Sequence, residues 1–503
     1  MKSHQVELPK IYFGNYDQVA ATDCACPTEP STISEITRSF SVKQEIDSNS
    51  TLWQIYPGLH VTNLPELHQA VFNPLGPTNL IILNHTAQRI LNSFDKAISL
   101  QDGVSRIPEI SLVDGLRIAE YFSLLGYLKP SNYSQPRSEQ ANTLTTWLHI
   151  TNACNLRCDY CYIQKTTEKM EVERGKQSVD AVFRSAIANH FDKVKLKYAG
   201  GESTLNFSLI EALHGYASTV ASEHDIELSG VVLSNGVGMS NRMIDALIKS
   251  NLRLSISIDG IGKYHDIQRK LVNGKGSFAL VEKTLDRLEA HNLKPSITIT
   301  VSSRNLEGLP ETITYMLKRE LPFTINFYRE NNLSASFANL AYEDQQIIDT
   351  MLMTFDVIEQ NLPTYSLLGT LTDRARLDTP HEQPCGVGNS YMVIDQKGNV
   401  AKCHMDIERS ITDVSAADPL NIIRADQIGI QNVSVDEKEG CRDCEWRYSC
   451  AGGCPALTYR VTGRYDIKSP NCRIYKALFP AVLRLEGLRI MKYSNTGVIN
   501  TLM

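Results

Sequence analysis

From about residue 144 to residue 335 the chain alternates short β-rich runs with longer amphipathic stretches, and no other feature restricts its fold so tightly. TTWLHIT, VKLKYAG, LSGVVLSNG, LRLSISIDG, SITITVS and FTINFYR read as strands, with helical patterns such as SLIEALHGYASTVASEH and ALVEKTLDRLEAHN between them. Six strand-then-helix units predict an α/β fold with a parallel sheet, a partial (β/α)6 TIM-like barrel. Glycines and short polar residues gather at the carboxyl ends of these strands, in GGE (Gly200, Gly201, Glu202), SNG (Ser234, Asn235, Gly236) and SIDG (Ser257 to Gly260). In barrel-like folds that rim binds ligands. NACNLRCDYCYIQK follows the first strand, so Cys154, Cys158 and Cys161 are expected on the same rim.

Cysteine usage narrows the chemistry. Cys24 and Cys26 stand apart, and seven more fall between Cys385 and Cys472. A 503-residue chain opening with MKSHQVELPK, which has no signal-peptide pattern, is expected to keep its thiols reduced, as soft metal ligands and not as a disulfide framework. The expected location is cytoplasmic, with no membrane span, since no run approaches ~18 apolar residues. Net charge is -6, and no basic block suggests a nucleic-acid partner. A 4Fe-4S cluster takes one thiolate per iron, so a trio of cysteines leaves one iron free to coordinate something else. The alternative is a zinc site completed by His149 or a distant residue.

C-x3-C-x2-C after the first strand, GGE after the second and S-x-D-G after the fourth together resemble the radical S-adenosylmethionine enzyme superfamily, over roughly residues 144 to 335. The resemblance implies that the open iron is chelated by S-adenosylmethionine. It implies that Glu202 holds the methionyl amine, that Gly200 and Gly201 let the backbone approach the ligand, and that Tyr160 lies near the adenine. Ser234, Asn235, Ser257 and Asp259 would give polar contacts to ribose or carboxylate, with Arg269 a further candidate for the carboxylate. Taken singly, each of these is an ordinary turn or loop residue; their shared register lifts them.

The later cysteines follow the pattern Cys385, Gly398, Cys403, then C-x2-C-x5-C-x3-C at Cys441, Cys444, Cys450 and Cys454, and finally Cys472. This resembles the seven-cysteine SPASM extension of radical S-adenosylmethionine maturases. The family arrangement would place Cys441, Cys444, Cys450 and Cys472 on one auxiliary 4Fe-4S cluster, and Cys385, Cys403 and Cys454 on another whose fourth ligand is missing. Cys24, Cys26, a non-cysteine ligand or an open iron would account for the gap; zinc knuckles are the alternative for the whole set.

Upstream, LHVTN and QAVFNP read as a hairpin, NLIILN as a third strand, and HTAQRILNSF and LRIAEYFSLLGYL as helices. This winged-helix-like unit resembles the pyrroloquinoline quinone chaperone family, whose members recognise precursor peptides by adding an extended leader to a sheet edge. The alternative is a winged-helix domain used only for packing or for DNA, the DNA version being disfavoured because HTAQRILNSFDKA carries no basic stripe.

The expected organisation is an irregular extension 1–52, a peptide-recognition unit 53–130, a linker 131–143, the barrel 144–335, a helical bridge 336–384, a cysteine-rich iron-sulfur region 385–475, and a C-terminal helix and tail 476–503. The resemblances imply S-adenosylmethionine and three 4Fe-4S clusters as cofactors, a precursor peptide as partner, and an electron donor such as flavodoxin or ferredoxin. The implied function is radical installation of a thioether, C-C or C-O crosslink in a ribosomally made peptide. Removal of residues 1 to 130 is then expected to spare S-adenosylmethionine cleavage and impair peptide modification. Two rivals stay open: a sulfatase-maturing-type oxidase of a protein Cys or Ser, and a non-enzymatic iron-sulfur or zinc protein.

Overall fold

The computed structural model describes residues 7–14, 51–76, 78–131, 141–337, 339–494 and 499–502. Most of the 1–52 extension, with Cys24 and Cys26, and most of the 131–143 linker lie outside the described residues.

The N-terminal unit is built on an antiparallel sheet. Its strands are β1 (Ile11–Gly14), β3 (His60–Asn63), β4 (Gln69–Phe72) and β5 (Leu80–Leu83), with β2 (Trp53–Ile55) and β6 (Leu128–Pro130) forming a separate pair. β5 reads LIIL because both of its faces are buried. Leu80 and Ile82 point into one core and Ile81 and Leu83 into another, the period-two alternation of a strand sandwiched between layers. Helices His85–Asn92, Leu100–Ser105 and Leu112–Leu124 cover the second face, their first turns capped by the side chains of Asn84, Ser99 and Ser111. The first face packs on the helix Cys472–Tyr493, so this unit shares its core with the C-terminal part of the chain.

One element departs from the expected irregular extension. IYFG forms β1 and pairs with β5, burying Ile11 and Phe13, and a strand at Ile499–Leu502 pairs with the other side of β1. Sheet order is therefore the C-terminal strand, β1, β5, β4, β3, with β3 at the far edge.

The barrel follows the sequence reading closely. β7 (Thr143–Thr151), β9 (Lys193–Gly200), β10 (Glu227–Ser234), β11 (Arg253–Ser257), β13 (Ser296–Val301) and β14 (Phe323–Phe327) are adjacent in chain order and all parallel. Two short strands, β8 (Leu156–Cys158) and β12 (Arg269–Leu271), pair with each other above the rim. The sheet continues beyond β7 with β15 (Tyr391–Ile394), parallel to it, and then with β16 (Asn399–Ala401) and β17 (Thr412–Asp413). The cysteine-rich region is thus joined to the barrel through main-chain hydrogen bonds. Among the described residues no helix is long and apolar enough to cross a membrane.

Candidate functional site

The cysteine loop is held from two sides. Beneath it, Gly201 donates its N–H to the Thr151 carbonyl at 2.7 Å and Glu202 donates to Ala153 at 2.8 Å. A Cβ on Gly200 would lie 2.4 Å from the Thr151 oxygen, and one on Gly201 would lie 2.3 Å from that of Ala153. The two glycines were expected to admit a ligand. What they visibly admit is the backbone of the cysteine loop, which no side chain would let so close. From the other side, β12 pairs with β8 in a register that sets Arg269 opposite Cys158.

Glu202 is 1% exposed and its carboxylate is fixed by four donors. Oε1 accepts from the Thr204 N–H at 3.1 Å, the Thr204 hydroxyl at 2.5 Å and the Ser234 hydroxyl at 2.9 Å, while Oε2 accepts from the Asn235 N–H at 2.7 Å. The Asn235 amide in turn donates to Asn155 at 2.7 Å and sits 3.8 Å from Cys154 Sγ. GGE and SNG therefore act as one assembly behind the first cysteine. An ionised carboxylate with such donors is preorganised for one further cation.

Tyr160, Asp259 and Arg269 form a second assembly. Asp259 is fully buried; its Oδ2 accepts from the Tyr160 hydroxyl at 2.6 Å and from Gln268 at 3.0 Å, its Oδ1 from the Thr300 N–H at 2.9 Å, and Arg269 lies 3.6 Å away. Arg269 also meets the Tyr160 hydroxyl. Burial, reinforced by the Asp259 charge, holds the Tyr160 hydroxyl well above its usual range. Asp259 was expected to reach ribose or carboxylate, but its oxygens serve Tyr160 and the strand instead, and it does not line the cavity.

That cavity, about 310 Å³, lies inside the rim. Cys154, Cys158, Cys161, Tyr160, Gly200, Gly201, Glu202, Ser234, Asn235, Ser257 and Arg269 all line it. Burial pushes the Cys158 thiol up to about 12, and Lys165 donates to Cys161 Sγ at 3.0 Å. A buried thiolate beside cations is the form that metal ligation stabilises.

The C-terminal cysteines fall into two sets, in two further cavities. Cys441, Cys444, Cys450 and Cys472 line one, with Cys472 at the start of its long helix. Cys385, Cys403 and Cys454 line the other. All ten described cysteines are free thiols. Among the described residues, no three His, Cys, Asp or Glu side chains converge on one point as a single metal ion requires. Spread thiols around a small cavity suit a polynuclear cluster, in which each sulfur meets a different iron. His149, the suggested zinc ligand, is buried on β7 with Nε2 bonded to Asn152 at 2.7 Å.

Motif reading missed the floor and far wall of the main cavity. Lys197 is buried on β9, legible only from the strand alternation in VKLKYAG. Arg329, Arg374, Tyr391 and His404 line both the main cavity and the three-cysteine cavity, so the two share a wall. Arg329 grips Asp373 with both contacts at 2.6 Å, and Asp373 accepts from Tyr475 at 3.1 Å, a residue lining the four-cysteine cavity. A hydrogen-bonded path thus links all three.

The family model described as the Radical SAM superfamily matches residues 148–316. The uncharacterized protein MJ0907 of Methanocaldococcus jannaschii is 30% identical over 171 residues, 34% of this chain; the chain spans only 57% of that relative's length. The sporulation killing factor maturation protein SkfB of Bacillus subtilis is 26% identical over 167 residues, covering 33% of this chain and 38% of its own. The solved structure of native anSMEcpe with bound AdoMet and Cp18Cys peptide shares the fold, with TM-score 0.56 and 17% identity over 70% of this chain and 99% of that one. Residues 148–316 thus match the Radical SAM superfamily, and the fold shared with anSMEcpe extends that likeness over 70% of this chain.

Proposed function

We propose that this chain matures a ribosomally made precursor peptide by radical chemistry. The observation that carries the reading is the shared wall: the rim cavity bearing Cys154, Cys158, Cys161 and Glu202 abuts the cavity bearing Cys385, Cys403 and Cys454. A substrate held between them has a radical source on one side and a metal centre on the other. In this reading Cys154, Cys158 and Cys161 hold one 4Fe-4S cluster, Cys441, Cys444, Cys450 and Cys472 a second, and Cys385, Cys403 and Cys454 a third. When bound and reduced, the first cluster with S-adenosylmethionine would supply a 5′-deoxyadenosyl radical able to take a hydrogen atom from the peptide, and an auxiliary cluster would accept the electron released as the second hydrogen leaves as a proton.

The chain's residues do the positioning. Glu202, fixed by its four donors, orients the methionyl ammonium, with Gly200 and Gly201 keeping the cysteine loop against it. Arg269 would hold the cofactor carboxylate, while Asp259 holds Tyr160 and Arg269 in place beside Cys158. Ser234, Asn235 and Ser257 complete the polar lining. The strand layers beneath exclude water from the radical. The names of SkfB and of the anSMEcpe peptide complex support a peptide substrate. A leader segment adding to the β3 edge would raise the local concentration of the core peptide. The product is a thioether, C-C or C-O crosslink, and a flavodoxin or ferredoxin delivers the electron in the cytoplasm.

The test is anaerobic reconstitution with iron and sulfide, then S-adenosylmethionine and a reductant, followed by mass spectrometry of a peptide co-expressed from a neighbouring reading frame. The expected result is 5′-deoxyadenosine and a mass loss of two hydrogens in the peptide. No 5′-deoxyadenosine refutes the reading. Oxidation of a protein Cys or Ser, with no effect on the peptide, supports the sulfatase-maturing alternative.

A further inference from the structure

The three-cysteine cavity lacks one ligand for a four-iron cluster, and among its described lining residues there is no fourth cysteine. His404 lines this cavity and follows Cys403 directly in the chain. Its ring is held among Trp147, Tyr162 and Tyr391, with the Tyr162 ring centroid 5.6 Å away. One face stacks on Trp147, with centroids 4.6 Å apart and planes 13° from parallel. Nδ1 lies 3.1 Å from the Tyr391 hydroxyl, and this is the ring's only hydrogen bond among the described residues. In the tautomer that carries its proton on Nδ1, that N–H donates to the Tyr391 hydroxyl and Nε2 carries the free lone pair. Locking one ring nitrogen so that the other faces a metal is the usual support for a ligating histidine.

The rest of the wall agrees in charge. Arg329 and Arg374 line the same cavity, and a cluster with several thiolates is anionic. The other soft donor there, Met405, has a thioether that suits copper(I) better than iron. Cys24 and Cys26 lie outside the described residues.

Building on the assignment of a cluster to Cys385, Cys403 and Cys454, we propose that Nε2 of His404 is its fourth ligand. The site would then be a Cys3His cluster whose histidine stands on the wall shared with the main cavity. Trp147 and Tyr391 would be positioning residues for that imidazole.

The experiment needs no peptide. Full-length protein carrying C154A, C158A and C161A is made with natural and with 15N-labelled histidine, reconstituted with iron and sulfide under anaerobic conditions, reduced, and studied by pulsed EPR. The expected result is a nitrogen coupling that changes with histidine labelling and is lost in His404→Phe, a variant that preserves the stack on Trp147. His404→Cys should keep the iron content and lose the coupling. A coupling that is absent, or that survives His404→Phe, overturns the proposal, as does a fourth ligand traced to Cys24 or Cys26 by their alanine variants. Cys385→Ala with Cys403→Ala separates the two levels. If this pair does not lower the iron content, no cluster binds there and the underlying assignment fails too; if it removes about four irons while the histidine coupling is missing, only the proposal falls.

Discussion

Cys158 and Arg269 face each other across two short antiparallel strands, and the guanidinium lies 3.6 Å from the fully buried Asp259. Removing the cation leaves that carboxylate uncompensated inside the protein, which costs about 3–5 kcal/mol. Arg269→Met is expected to lower Tm by several degrees. Adding Asp259→Asn should recover part of the loss, since the buried charge has then gone. A double-mutant cycle in thermal unfolding measures this, and strictly additive losses would contradict it.

Gly201 controls the geometry of the cysteine trio through contact alone. Gly201→Ala places a methyl group where the Ala153 carbonyl stands, 2.3 Å away, so the loop must move. The variant is expected to lose about four irons per chain after reconstitution, the content of one cluster, while the signals of the C-terminal sites persist. Iron analysis with EPR reads the outcome.

How far this site could be read from sequence depended on where each residue sits. Cys154, Glu202, Ser234 and Ser257 lie at strand ends, so the order of strands fixed their neighbourhood once the periodicity was recognised. Asp259 stood in the same motif series, yet its direction depends on the returning segment that carries Gln268 and Arg269, which no local pattern encodes. Asp373 falls in an irregular stretch between the helix Asp344–Gln360 and β15, without periodicity to mark it. β1 was hidden for a related reason: IYFG is a weak strand signal alone, and what makes it a strand is β5, some seventy residues away.

Glu202 offers a test that separates charge from shape. Glu202→Gln keeps the volume but turns one oxygen into an NH2 group facing the donors of Thr204, Ser234 or Asn235. One buried donor is left opposite another, at a cost of about 1–3 kcal/mol. Loss of the charge should also weaken S-adenosylmethionine by about tenfold or more, since a charge-assisted bond to the ammonium becomes a neutral one. Calorimetric titration of reconstituted protein gives the affinity; unchanged binding would remove Glu202 from the ammonium site.

The metal-free protein should lose stability in alkali. Burial pushes the thiols of Cys158, Cys403 and Cys450 up to about 12 from an ordinary value of 9.0. Because the folded state holds these protons more tightly than the unfolded chain, the contribution is complete below pH 9 and declines as pH rises toward 12. Each group adds a slope of up to about 1.4 kcal/mol per pH unit. In cluster-loaded protein the thiolates are already ligated, so the alkaline loss should be much smaller. Tm from pH 8 to 10.5, with and without reconstitution, compares them, and parallel curves would count against ligation by these cysteines.

Deleting residues 1 to 130 was expected to spare S-adenosylmethionine cleavage, but the shared core argues for a harsher result. Ala70, Phe72, Leu80 and Ile82 pack in the same core as Leu478, Val482 and Leu483 of the helix that begins at Cys472. His60 stacks on Trp446 at 3.7 Å, between Cys444 and Cys450 in the chain. Truncation would expose that apolar face to water, and the expected product is aggregation with a disturbed four-cysteine site. Leader binding is better probed at Val61, which is 54% exposed on the edge strand β3. Val61→Asp leaves the core untouched and sets a charge on the edge where a peptide strand would add. Precursor affinity by fluorescence anisotropy is expected to fall about tenfold while 5′-deoxyadenosine formation without peptide is unchanged, a difference of about 1.4 kcal/mol in binding. Equal affinity for the variant would move the leader away from β3.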